Sequence, residues 1–172
     1  MNTSIVLTII ADDKPGIVQT VSETLKNHGG DWTQSSMSTL AGQFAGILLA
    51  SVPTKNSEAC LEELNGLKNK GLGIVVHLCS ESSVPERSHV FALELLGNNR
   101  PGIVHEVTTV LVKHKVSIHS LETSVESASM AGGELFRAHA ELAVPESTDI
   151  ETLESELEDL ANELMVDIHF VK

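Results

Sequence analysis

Apolar and polar positions alternate and cluster along this chain in an order that occurs twice. Ser4-Ile5-Val6-Leu7-Thr8-Ile9-Ile10 is short, apolar and rich in β-branched residues, which predicts a strand. Ile17, Val18, Val21 and Leu25 then recur at helical spacing, and Gly29-Gly30 can end that helix. Trp32 to Leu40 and Gln43 to Val52 read as two strands joined by a turn at Ala41-Gly42. Asn56 or Ser57 can cap a second helix carrying Leu61, Leu64 and Leu67, and Ile74 to Leu78 is a closing strand. The second half follows the same order: a strand from His89 to Leu96, a helix marked by Val104, Val107 and Leu111, and strands from Val116 to Val125 and Glu134 to Val144. Thr148-Asp149-Ile150-Glu151 reads as a capping box opening a helix with Leu153, Leu157, Leu160 and Leu164, and Val166 to Val171 ends the chain as a strand.

The residues themselves repeat. Asp12-Asp13-Lys14-Pro15-Gly16-Ile17-Val18 returns as Asn98-Asn99-Arg100-Pro101-Gly102-Ile103-Val104, and the spacing holds through Val21 and Val107, Leu25 and Leu111, His28 and His114. Val52-Pro53 matches Val144-Pro145, and His77 matches His169, after a few extra residues placed near Met130-Ala131-Gly132-Gly133, where a turn lengthens cheaply. Two domains follow, residues 1–80 and 88–172, joined by a polar, proline-bearing linker at 81–87. The order βαββαβ is the ferredoxin-like arrangement. The expected class is α+β, with each sheet antiparallel and both helices on one face. The other face needs a cover, which a partner sheet, a paired domain or a homodimer would supply.

The formal net charge is −13, from 24 acidic and 11 basic residues, and the cations are scattered. A phosphate backbone would repel such a chain, so neither direct nucleic-acid binding nor attachment to an anionic membrane is expected. The N-terminus lacks the basic and apolar regions of a signal peptide, which makes cytoplasm the expected location. Aromatics are only 3%, so the core must be aliphatic. Cys60 and Cys79 show no metal or redox spacing and read as two buried thiols.

The repeated loop is the candidate site. A helix N-terminus offers free N–H groups and partial positive charge, where a carboxylate can sit. Gly16 and Gly102 remove a side chain that would obstruct approach. Asp13 and Asn99 are placed in sequence to accept from an ammonium group, with Asp31 and Ser117, at matching points opening the second strand of each half, as further candidates. The competing reading is that Pro-Gly makes only a tight strand-to-helix turn.

Asp13-Lys14-Pro15-Gly16-Ile17-Val18 and Asn99-Arg100-Pro101-Gly102-Ile103-Val104, each between a first strand and a first helix, resemble the signature of the ACT domain. The resemblance covers nearly the whole chain. It implies an amino-acid-sensing, non-catalytic module and carries ligand-binding roles onto Asp13, Lys14, Pro15, Gly16 and Ile17 and onto Asn99, Arg100, Pro101, Gly102 and Ile103. A pair of such domains at this length is similar to the bacterial family of glycine cleavage system repressors. That similarity implies a small amino acid, glycine, as ligand and a separate DNA-binding activator protein as partner. The alternative is a stand-alone interaction subunit regulating an amino-acid metabolic enzyme, with or without ligand. Formyltetrahydrofolate deformylases have similar domains but add a catalytic domain that this sequence lacks.

Other patterns are weaker. Eight histidines include no close metal-ligand spacing, so no metal is expected. Gly71-Leu72-Gly73 precedes a strand and lacks a third glycine, the wrong context for a dinucleotide fingerprint, and no cofactor is expected. No nucleophile–base motif is visible. Glu151, Glu154, Glu156, Glu158, Asp159 and Glu163 make an acidic helix face, read as solvated or as a docking surface for a basic partner. Trp32 and Met37 read as core residues of the second strand.

Overall fold

The structure is a computed structural model that describes residues 1–79, 87–127 and 133–171. The chain divides into two compact units, Met1–Ser83 and Val84–Lys172. All of the expected linker except Arg87, and Met130 to Gly132 of the expected longer turn, lie outside the described residues.

The first unit runs β1 (Asn2–Asp12), α1 (Ile17–Asn27), β2 (Asp31–Leu40), β3 (Gln43–Pro53), α2 (Ser57–Gly66) and β4 (Gly73–Leu78). The second runs β5 (Ser88–Asn98), α3 (Ile103–Lys113), β6 (Ser117–Ser127), β7 (Glu134–Pro145), α4 (Ile150–Leu164) and β8 (Val166–Val171). The sheet orders are β2-β3-β1-β4 and β6-β7-β5-β8, antiparallel throughout. Each unit is therefore βαββαβ, a ferredoxin-like α+β domain.

Period-two alternation builds each core. Ile5, Leu7 and Ile9 of β1 are buried with Leu48, Ala50 and Val52 of β3, against Ile17, Val21 and Leu25 of α1 and Cys60 and Leu64 of α2. Phe91, Leu93, Leu95 and Leu142 do the same in the second unit with Val107, Leu111, Leu153 and Leu157. Trp32, Met37 and Phe44 pack half-buried against the first core. Met37 lies over Gly46, its ladder partner, where an added Cβ would meet the Met37 side chain and come within 2.8 Å of the Ser36 carbonyl oxygen.

Local details differ from the sequence reading. Asp149 is the N-cap of α4 and accepts from the Thr152 amide at 3.4 Å, so the cap lies one residue beyond the expected Thr148. Asn56 precedes α2 without capping it; its Nδ2 donates to the His28 carbonyl at 2.8 Å and ties off the end of α1. The alignment of His77 with His169 is out of register. Val6 faces His77 across the ladder, whereas Glu94, the counterpart of Thr8, faces His169, so the partner of His169 in the repeat is Val75.

The faces away from the helices have diverged. In the first sheet the central rows are Ser38–Ala45–Ile10–Gly73, Ser36–Ile47–Thr8–Val75 and Gln34–Leu49–Val6–His77. In the second they are Ser124–Arg137–Leu96–Asp167, Glu122–His139–Glu94–His169 and Ser120–Glu141–Ala92–Val171.

Candidate functional site

β1 delivers the chain to the loop at Asp12, and Gly16 adopts φ 99°, ψ −2°, a left-handed conformation that starts α1. The Gly16 carbonyl accepts from both the amide and the hydroxyl of Thr20, each at 2.9 Å, which closes the first turn. No side chain caps this N-terminus and no acidic residue stands in its first turn. Its amides therefore remain available to an anion.

Against this end of α1 lies a cleft of about 250 Å³, lined by Ala11, Asp12, Lys14, Pro15, Gly16, Ile17, Thr20, Lys70, Gly71 and Leu72. Lys14 and Lys70 bring cations to it. Asp12 brings the anion: its carboxylate accepts from Gln43 Nε2 at 2.9 Å and lies 3.7 Å from Lys14 Nζ. The Gln43 hydrogen bond, then the Lys14 charge, hold the Asp12 carboxyl below its usual pKa. Uncapped amides, two ammonium groups and an ionised carboxylate match the two ends of a zwitterion.

The second unit places the same backbone there with different chemistry. Gly102 has φ 99°. Here Glu106 replaces Thr20, stands in the first turn of α3 and accepts from Arg100 Nη2 at 2.8 Å. Its Oε1 would lie 3.4 Å from a Cβ on Gly102. The counterparts of Lys70 and Gly71 are Leu164, which is buried, and Met165, which is exposed with φ 53°. A shallow hollow of about 490 Å³ beside Gly97, Asn98 and Met165 includes none of the Pro101–Gly102 loop.

The expected residues are thus divided. Lys14, Pro15, Gly16 and Ile17 meet at one cleft. Asp13 does not line it; its amide donates to the Gly42 carbonyl at 2.9 Å, and Asp12 takes the place expected of it. Asn99 is turned to Glu134, to which its Nδ2 donates at 2.8 Å. Asp31 pairs with Ser51, which pairs with Ser4 at the far end of β1 from Asp12. At about 3.3 Å per residue, that is roughly 25 Å from the loop. Ser117 sits equally far from Asn98, in the row of Ala143 and Val90. Lys70, Gly71 and Leu72 escaped the sequence reading because they come from the turn before β4. The signal that could have located them is Gly71, whose φ of 84° ends the 3-10 turn Leu67–Lys70 that follows α2 and returns the chain beside β1.

Cys60 is buried, and burial, then the Glu63 charge, push its thiol pKa up. Cys79 is exposed, against the expectation of two buried thiols. His28 pairs with Glu63 at 2.7 Å and His114 with Glu156 at 3.1 Å, joining the two helices of each unit. Among the described residues no group of three or more His, Cys, Asp or Glu is arranged to hold a metal ion, and no helix is long and apolar enough to cross a membrane.

Family models of the ACT domain match residues 3–77 and 91–162. No curated protein matches the chain. The crystal structure of an unknown protein from Galdieria sulphuraria is 30% identical over 99% of this chain and 98% of that one, with a TM-score of 0.85. A crystal structure of a candidate glycine cleavage system transcriptional repressor is 18% identical, covers 100% of this chain and 99% of that one, and has a TM-score of 0.68, a likeness of fold. The first match spans nearly all of the first βαββαβ unit, the second runs from within β5 to within α4, and both include their Pro-Gly loop; the chain belongs to the ACT-domain family as a tandem pair.

Proposed function

We propose that the protein is a non-catalytic regulator whose first unit senses a small amino acid, with glycine as the ligand. It represses the glycine cleavage system through a separate DNA-binding activator. The observation carrying the ligand reading is the cleft where the uncapped α1 N-terminus, Lys14, Lys70 and Asp12 converge. The ligand carboxylate sits at the α1 amides with the lysines beside it, and the ammonium group at Asp12. The choice of glycine rests on the sequence resemblance and on the fold shared with the candidate repressor. The −13 charge favours a role exercised through protein rather than DNA contact.

Glycine has few heavy atoms, and at about 1.5 kcal/mol per atom for the best small ligands its five atoms supply at most about 7.5 kcal/mol. Affinity is therefore no tighter than a few micromolar. Thermal shift against the twenty amino acids, followed by calorimetric titration, tests the reading. A ligand that binds only the folded state raises Tm by mass action. Gly16→Val is the companion variant. A Cβ there meets nothing within 4 Å, so the folding cost up to that atom is the left-handed φ, about 1–2 kcal/mol. Unchanged melting with every amino acid, or wild-type affinity in a folded Gly16→Val protein, would reduce the loop to a turn.

A further inference from the structure

We infer that the helix-free face of the first sheet is a self-association surface, and that its occupant is the same face of a second copy of this chain. Ile10, Ile47 and Val75 stand out on it at 55%, 51% and 54% exposure, with Val6 and Leu49 half-buried between them. They surround Thr8 on three adjacent strands. Across the three central rows there is no Asp, Glu, Lys or Arg, in a chain with 24 acidic residues; Asp12 and Asp31 appear only at the ends.

Depletion of charge at the centre of an exposed apolar patch is the compositional mark of an interface. The occupant follows from charge. Two copies at −13 repel each other over most of their surfaces, and this face lets them meet without opposing like charges. The corresponding face of the second unit presents Glu94, Arg137, His139 and Asp167, and burying those against Ile and Val strips charged groups of their water with only apolar side chains opposite. The matching surface is therefore the first-unit face itself, stacked as a two-layer sandwich about 10 Å thick. Four strands spaced about 4.8 Å apart, over about eight residues at about 3.3 Å each, give roughly 500 Å² per copy. The roughly 1,000 Å² total is at the low end for a specific interface, so association is weak and reversible. Added salt screens the repulsion between copies and strengthens it, the reverse of an association held by ion pairs.

Sedimentation equilibrium of the full chain, from micromolar to near-millimolar, tests this at low and raised salt. The expected result is a monomer–dimer equilibrium that tightens with salt. Ile47→Lys and Thr8→Lys are expected to be monomeric throughout, although each lowers the net negative charge. Arg137→Ala, on the second unit's face, is expected to dimerise like wild type. Circular dichroism melts confirm folding, and two disrupting variants ensure that one can fail to fold without removing the test. A chain monomeric at every concentration and salt overturns the inference, as does a dimer that survives both lysines or dissociates in Arg137→Ala.

Discussion

Arg100 donates to Glu106 at 2.8 Å across the mouth of the second Pro-Gly loop, and at the matching positions of the first loop stand Lys14 and Thr20, which do not contact each other in this way. The second loop thus carries its own carboxylate where the first leaves room for one. Calorimetry with glycine is expected to show one site per chain. Lys14→Ala, Lys70→Ala and Asp12→Asn should weaken it severalfold or more, while Arg100→Ala and Asp13→Ala leave it near wild type. Two equal sites per chain, or a loss confined to Arg100→Ala, would reverse the assignment.

Packing gives a second expectation. Leu48 is fully buried between β1 and the helices, and Leu48→Ala should cost about 2–5 kcal/mol, read as a shift in urea midpoint at unchanged slope. Gly46→Ala should cost about 1–3 kcal/mol, because its Cβ would meet the Ser36 carbonyl and the Met37 side chain. A combined Gly46→Ala, Met37→Ala variant should recover only part of that loss, since the backbone contact remains.

The thiols should separate cleanly. Cys79 is exposed and should react with a thiol reagent in the native protein. Cys60 is buried with its pKa raised and should react only on unfolding. Counting labelled cysteines by mass before and after denaturant checks this; two rapidly labelled thiols would contradict the buried position.

Acid should weaken the second unit through Asp149 and Glu156. The Thr152 hydroxyl, then its amide, lower the pKa of Asp149; the Lys113 ammonium, then His114, lower that of Glu156. Each carboxyl binds its proton less readily folded than unfolded. Its contribution is therefore complete above the ordinary values of 3.8 and 4.5 and disappears as pH falls through the lowered folded values. Urea midpoints followed downward through that range should fall in wild type and fall less steeply in Asp149→Asn, Glu156→Gln.

Most of the fold was legible because the signal was local and stated twice. The short, apolar, β-branched run from Ser4 to Ile10 and the helical spacing from Ile17 to Leu25 each define an element without help from distant residues. The site was legible only at the loop. The matched position in the repeat points to Asp31 as part of the site, yet antiparallel pairing sends the start of β2 to the opposite end of the sheet. Lys70 is the reverse case: it is distant in sequence but returned to the loop because β4 pairs with β1. The thiol of Cys79 misled because burial at a strand end depends on what packs over it, which periodicity does not record.

The edge strand β6 has a consequence for colloidal behaviour. All eleven of its residues are exposed, so one long border of the second sheet offers its backbone groups to any extended chain that approaches. On its helix side Ile118, Leu121 and Val125 add greasy contacts that would hold such a visitor in place. Glu122 and Glu126 interrupt that stretch with the sign of charge that dominates every other copy of the molecule. Fibril-like growth from this border is thereby opposed by gatekeeping carboxylates rather than by capping the strand, a protection that fades in acid or at high ionic strength.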